Sequence, residues 1–387
     1  MADAVTDATV FPAVPGIQEI FARFWGQIFG QPKKILLEAG IVFLLLLPFY
    51  AYFLRTPEFP RTFGFFYLAG ICVYILWFSP NRNPAPEARK SLMEVPILTG
   101  SALFFEWAII PAGPVGRFAG QVLLGFCVVY ILFLSSRFHG DRSTEWGIGS
   151  PTAMIGYLRN GQNRFAALGA LFLGGICVVS ACLFAHDLVA EILRGMLRRA
   201  FGYRQAIEVS TPVLAMTGLC IYLFFVFFVI RFDNLREAGI IVGAYFLGLV
   251  AVVAIGGYVY IYLLNSGWVE FAPRKGLTSM GAYVLWGTLQ ELLFLSYFNT
   301  RIRKGISSPL LSALLTAVIF SIFHLTAYTL MFLCFLVGII WALIFQVAPN
   351  LFLIGICHGI SAGFGSFFAV QGMKLIRIKA SVGPFNM

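Results

Sequence analysis

Residues 309–347 read PLLSALLTAVIFSIFHLTAYTLMFLCFLVGIIWALIFQV, an apolar stretch with no Asp, Glu, Lys or Arg in it. A helix that crosses a membrane needs about 20 mostly apolar residues, and this stretch supplies two such segments, 309–326 and 328–347. Comparable segments flank it at 279–298 and 349–370. Others lie further back, at 35–54, 62–79, 93–112, 118–136, 165–188, 211–230 and 238–264. The pattern predicts an all-α polytopic membrane protein with about 11 transmembrane helices, in a range of about 9–11. The 93–112 segment is the weakest, because Glu94, Pro96, Glu106 and Pro111 interrupt it.

Composition points the same way. The 387 residues are 59% hydrophobic and 11% charged, with a mean hydropathy of +0.86. An ordinary soluble domain has roughly 45–50% apolar and 25% charged residues. A soluble enzyme, a disordered protein and a small disulfide scaffold are therefore excluded. The net charge of +10 does not signal nucleic acid, because the basic residues stand singly or in pairs between apolar runs, as in the loops of a helical membrane protein. All seven cysteines (Cys72, Cys127, Cys177, Cys182, Cys220, Cys334 and Cys357) fall inside apolar runs and read as packing residues.

The first residues, MADAVTDATVFPAVPG, lack a basic start followed by an apolar core, so a cleaved signal peptide is not expected. After them, Ile17, Ile20, Phe21, Phe24 and Ile28 recur at three- and four-residue spacing, with Trp25 among them. That spacing suits an amphipathic helix lying on the membrane surface, and equally one packed on the protein's own loops. The organisation expected is an N-terminal segment with this interfacial helix (1–34), an N-terminal transmembrane region of about seven helices (35–278), a C-terminal core of about four helices (279–370) and a basic tail (371–387). No internal repeat marks a transporter of the inverted-repeat kind.

A charge at the centre of a membrane helix costs roughly 2.5–3.5 kcal/mol on insertion scales, so each one asks for a reason. Glu38 is near a helix start and can snorkel to the interface. Glu106 lies deeper and reads as a partnered structural carboxylate. His186 and Asp187 end an apolar run, and His139 falls in the loop SSRFHGDRSTEW, without the company that chemistry requires. The last third differs. Glu291, His324 and His358 each fall near the middle of a separate apolar segment, in LWGTLQELLFLSYF, TAVIFSIFHLTAY and LFLIGICHGISAGF. One carboxylate and two imidazoles in one buried pocket are the parts of a water-activating site or of a metal site. The alternative is that each makes its own interhelical hydrogen bond.

The stretch from Gly287 to Phe368 resembles the CPBP family of CAAX-type and bacteriocin-processing, Abi-like intramembrane proteases. That family carries Glu-Glu-x-x-x-Arg, Phe-x-x-x-His and His-x-x-x-Asn on separate helices. Here the first motif aligns with Gln290-Glu291-Leu-Leu-Phe-Leu295, the second is intact as Phe320-Ser-Ile-Phe-His324, and the third aligns with His358-Gly-Ile-Ser-Ala362. The resemblance implies a CPBP-like helical core at the C-terminus. It also implies that the first motif-one Glu and the motif-two His activate a water, while the motif-three His and Asn support the oxyanion. Only Glu291, His324 and His358 survive from that set.

Each departure has a physical meaning. Gln290 is nearly isosteric with Glu, but an amide cannot accept a proton from water, and a general base is worth about 10²–10⁴ in rate. Leu295 removes an arginine one α-helical turn from Glu291. Ala362 removes a donor one turn from His358, and such donors are worth roughly 3 kcal/mol each. Adjacent helix positions differ by about 100°, so Glu291 is expected to face a different sector from residue 290 unless the pocket has been rebuilt.

The resulting expectation is a noncatalytic relative, a binding or scaffold subunit in a membrane assembly, in the inner membrane of a bacterium. Its partners are the lipid bilayer and either other membrane subunits or a lipidated peptide, with no nucleic acid. The alternative is an active endopeptidase using Glu291, His324 and His358. A cofactor is left open: the two imidazoles and one carboxylate match the ligand set of catalytic zinc, while family members are also described as metal-independent.

Overall fold

The computed structural model describes residues 16–55, 61–105, 114–149, 229–258, 269–271, 287–324, 328–364 and 368–370, with a few isolated residues between them. Glu106, His186, Asp187, the tail 371–387 and nearly all of the expected helices 165–188 and 211–230 lie outside the described residues.

Helix α1 (Ile17–Phe29) forms as its spacing predicts. Ile20 is fully buried and Phe24 and Ile28 pack beside it on the protein core, while Ile17, Trp25 and Phe29 face outward and Trp25 stacks on Phe29. Arg23 ties the helix down through Glu237 at 2.8 Å. The helix thus docks one apolar stripe on the protein and leaves an aromatic edge outside.

Next come α2 (Lys33–Arg55), α3 (Arg61–Val73, continuing as a π-helical turn over Tyr74–Phe78), α4 (Pro86–Phe104) and α5 (Pro114–Val129, then π-helical over Tyr130–Ser135). Helix α4 starts earlier than its apolar stretch because Pro86 sits at the first helical position, where a missing N–H costs nothing. Glu38 does not reach water: it is buried and accepts a hydrogen bond from Asn81 in the loop after α3.

The second half comprises α6 (Leu235–Tyr258), α7 (residues 287–305), α8 (Pro309–Ile322), α9 (Tyr328–Val347) and α10 (Leu351–Phe364). Helix α8 is the centre of the molecule, with every residue from Leu311 to Ile322 buried. Ser308 caps it, its side chain accepting from Leu311 N at 3.2 Å, and Pro309 follows at the first position. Its most extensive contact is with α9, where a methyl on Gly338 would stand 3.2 Å from the Ala317 side chain. Small residues let the two backbones approach, the usual device where lipid removes any hydrophobic drive between helices. Polar side chains in this core bond one another: Gln346 donates to Asn299 Oδ1 at 2.9 Å and to Ser312 Oγ at 3.0 Å.

Among the described residues, two helices are long and apolar enough to span a bilayer, within Leu235–Val252 and Leu330–Val347. Other expected spans form shorter apolar helices, including Phe63–Phe78, Pro309–Ile322 and Leu351–Ser361. In the 349–370 segment the described helix covers Leu351–Phe364, and Phe368–Val370 pairs antiparallel with Val269–Phe271.

Candidate functional site

Helices α7 and α10 cross where α10 carries Gly355 and Gly359, four residues apart, and α7 carries Gly287. A methyl on Gly355 would fall 2.0 Å from Thr288 Oγ1, and one on Gly287 would fall 2.5 Å from His358 Cγ. The glycines therefore press the His358 imidazole against α7. There His358 Nδ1 meets Glu291 Oε1 at 2.7 Å, and Glu291 is 1% exposed.

A change of helix geometry accompanies this contact. Immediately after Glu291 the chain becomes π-helical over Leu292–Asn299. Residues one turn apart are then five apart in sequence instead of four, so the expectation that residue 295 stacks on Glu291 at α-helical spacing does not hold. Leu295 is buried in apolar core, and Glu291 is paired by a histidine on another helix. Glu291 meets one of the motif histidines, His358. Gln290, the residue in the position of the family's first carboxylate, is only half-buried, and the ring nitrogens that His324 and His358 commit go to Phe320 and Glu291 instead.

His324 is not in mid-helix as its apolar surroundings suggest. It falls in the turn just past α8, with its backbone N–H bonded to Ser321 O at 2.9 Å. Its Nδ1 lies 3.0 Å from Phe320 O. A carbonyl only accepts, so Nδ1 carries the proton and Nε2 of a neutral ring keeps its lone pair. Phe320, the first residue of the second motif, packs against both imidazoles. Its ring centroid is 5.1 Å from that of His324 and 6.4 Å from that of His358. Trp341 also packs on His358, its ring centroid at 4.8 Å from the imidazole and 6.5 Å from Phe320. Nearby, Tyr245 on α6 and Ser361 on α10 share a hydrogen bond of 3.1 Å. Trp341, Tyr245 and Ser361 had no signal in the sequence, being polar-edged residues in apolar runs. Ala362 continues α10 one turn beyond His358.

Among the described residues, no three His, Cys, Asp or Glu side chains come together as metal ligands. Glu291 and His358 spend facing atoms on each other, and His324 Nδ1 is spent on a backbone carbonyl.

A second buried polar cluster was not legible in the sequence. Arg301, 0% exposed, lies near the C-terminal end of α7. It contacts Asp141 Oδ2 at 2.6 Å, Glu94 Oε2 at 3.2 Å and Ser135 Oγ at 2.7 Å. Lys304 binds the other oxygen of Asp141 and reaches Glu145 at 2.9 Å. Burial alone would raise the Asp141 carboxyl, but the hydrogen bonds from Arg301, Lys304 and Trp146 outweigh it and hold Asp141 below the usual carboxylate range. His139, expected to stand alone in its loop, belongs here, with Nε2 2.9 Å from Glu94 and Nδ1 3.3 Å from Ser91 Oγ. Ser91 is buried, while Glu94 and His139 also border a cavity along α4, and these contacts anchor the loop. The loop turns at Gly140 and Gly147, both at positive φ, where other residues are strained. It then grips the C-terminal helices: Ser296 donates to Trp146 O at 2.6 Å, and Leu351 N bonds to Gly147 O at 2.9 Å.

The core thus joins a buried carboxylate to an imidazole, with a second imidazole packed on the same phenylalanine. A family model described as Type II CAAX prenyl endopeptidase Rce1-like matches residues 274–364, about a quarter of the chain. This C-terminal part is a Rce1-like domain of the CPBP family, and the chain is a membrane protein. No curated protein and no solved structure matches the chain.

Proposed function

We infer that this protein uses its Rce1-like core to bind and not to cut. The observation that carries the reading is the pairing of Glu291 with His358 at 2.7 Å while the base position holds Gln290. A carboxylate engaged by an imidazole inside the core is stabilised where it is, and an amide cannot take a proton from water. The absent motif-one arginine and motif-three asparagine support the same reading. The ligand class is a lipidated peptide or the membrane segment of another subunit, and the setting is the inner membrane of a bacterium, where the chain serves as a binding or scaffold subunit.

The test is binding of a farnesylated peptide by the full chain in nanodiscs, read by fluorescence anisotropy, with mass analysis of the peptide afterwards. Saturable binding with the peptide recovered intact is the expected result. Absence of binding by both lipidated peptides and co-purifying membrane subunits would contradict it.

A second reading rests on one specific observation: Nδ1 of His324 is held by Phe320 O, which makes Nε2 the basic atom of that ring. In that reading the three residues activate a water and hydrolyse a peptide bond, and peptide fragments would appear in the same experiment.

A further inference from the structure

Three loops meet at one end of the molecule. Arg82 bridges to Ile306, Asn83 N bonds to Gly305 O at 2.8 Å, and the 139–149 loop joins them through Lys304 and Asp141. Helix α4 begins at this end, and a cavity of about 820 Å³ runs along it. Arg89 and Lys90 stand on its first turns, with Met93, Ile97 and Leu98 beyond them and Tyr130 of the α5 π segment among the lining residues. From Arg89 to Ile97 the helix rises about 12 Å, so the lining passes from cationic to apolar with depth. Met93 and Ile97 are exposed, Ile97 by 60%.

The charges favour an anion at the loop end. Lys90 shares Glu87 at 3.2 Å, and Arg89 has no ion-pair partner among the described residues. Glu94, the acidic residue lining the cavity, is engaged by Arg301 and His139 at 3.2 and 2.9 Å, so its charge is offset from behind. An amphiphile with an anionic head and an apolar tail matches this gradient. A pocket of this size is in the range that holds a small molecule, which suits a headgroup and the upper part of an acyl chain whose remainder lies in the bilayer.

We propose that this groove is a binding site for an anionic phospholipid, its phosphate on Arg89 and Lys90 and an acyl chain along Met93, Ile97 and Leu98. All of these residues lie outside the Rce1-like domain at 274–364, so the site stands or falls independently of what that domain does.

The experiment is native mass spectrometry on the delipidated full chain titrated with dioleoylphosphatidylglycerol or dioleoylphosphatidylcholine. Phosphatidylglycerol is expected to bind more tightly, by about fivefold for each cation that contacts it. The Arg89→Gln/Lys90→Gln double variant should remove that preference, and Ile97→Trp, which fills the groove, should weaken both lipids. These positions are exposed, and thermal midpoints without added lipid check that each variant is folded. Equal affinity for the two lipids, a preference that survives the double variant, or binding unchanged by Ile97→Trp would each overturn the proposal.

Discussion

Glu291 Oε1 lies 2.7 Å from His358 Nδ1, and this bond joins the first and third motifs of the Rce1-like domain across two helices. The pair is buried, so truncating either member is expected to cost more than a conservative change. Removing one partner of a buried hydrogen bond leaves the other unsatisfied and typically costs about 1–3 kcal/mol. Glu291→Ala and His358→Ala should therefore both lower the thermal midpoint of the purified protein sharply. Glu291→Gln keeps a hydrogen-bonding side chain of the same length and should cost about 1 kcal/mol or less. Equal destabilisation by Gln and Ala would show that the hydrogen bond is not what holds the pair.

Gly287 is expected to be as important as the pair itself. A methyl there would fall 2.5 Å from His358 Cγ, too close for any real contact. Gly287→Ala should push the imidazole off Glu291 and cost about 1–3 kcal/mol, the usual range for overpacking. The matched control is Gly100→Ala on α4, where nothing stands within 4 Å of the added atom. Comparable midpoints for the two variants would contradict the close α7–α10 crossing.

The family arginine cannot simply be put back. Leu295 is 2% exposed in apolar core, and the π segment has moved it out of α-helical register with Glu291. Leu295→Arg places an unpaired charge in that core and should abolish recovery of folded protein. Leu295→Met, which conserves volume, should cost less than about 1.5 kcal/mol. A well-folded Leu295→Arg variant would mean that an acidic partner is within reach after all.

Asp141 sets a pH dependence whose sign is fixed by its partners. Its folded carboxyl is held below the usual range by Arg301, Lys304 and Trp146 despite burial. The stabilisation is therefore present above the unfolded value, about 3.9, and is lost as pH falls through the lower folded value. Asp141→Asn should lower the thermal midpoint at neutral pH, and the gap from the parent protein should close only below about pH 4. A gap that closes between pH 5 and 6 would assign the effect to another group.

The fold class and three of the central residues were legible because both rest on apolarity along the chain: long runs without charge, and single ionisable residues that interrupt them. Features set by backbone geometry were not. Nothing in Leu292–Asn299 distinguishes π-helix from α-helix, and with Leu295 in place of the arginine the sequence leaves Glu291 either a histidine partner or none. The position of His324 departs from its expectation because the apolar run continues past Ile322 while the helix ends. The Arg301 cluster draws on residues from 91 to 304, and no spacing rule connects a loop histidine at 139 with a glutamate at 94. His139 stands alone in the sequence for that reason.

The central claim is that a core with Gln290 in the base position and Glu291 committed to His358 does not hydrolyse peptides. Its most direct measurement is single-turnover incubation of the nanodisc-embedded full chain with prenylated CAAX-type peptides. The Glu291→Ala, His324→Ala and His358→Ala variants run in parallel, and fragments are read by mass spectrometry. The expected result is no cleavage above that of the variants. Reproducible cleavage that vanishes with Glu291→Ala and with His324→Ala would contradict the claim and establish the protein as an active endopeptidase with a rebuilt site.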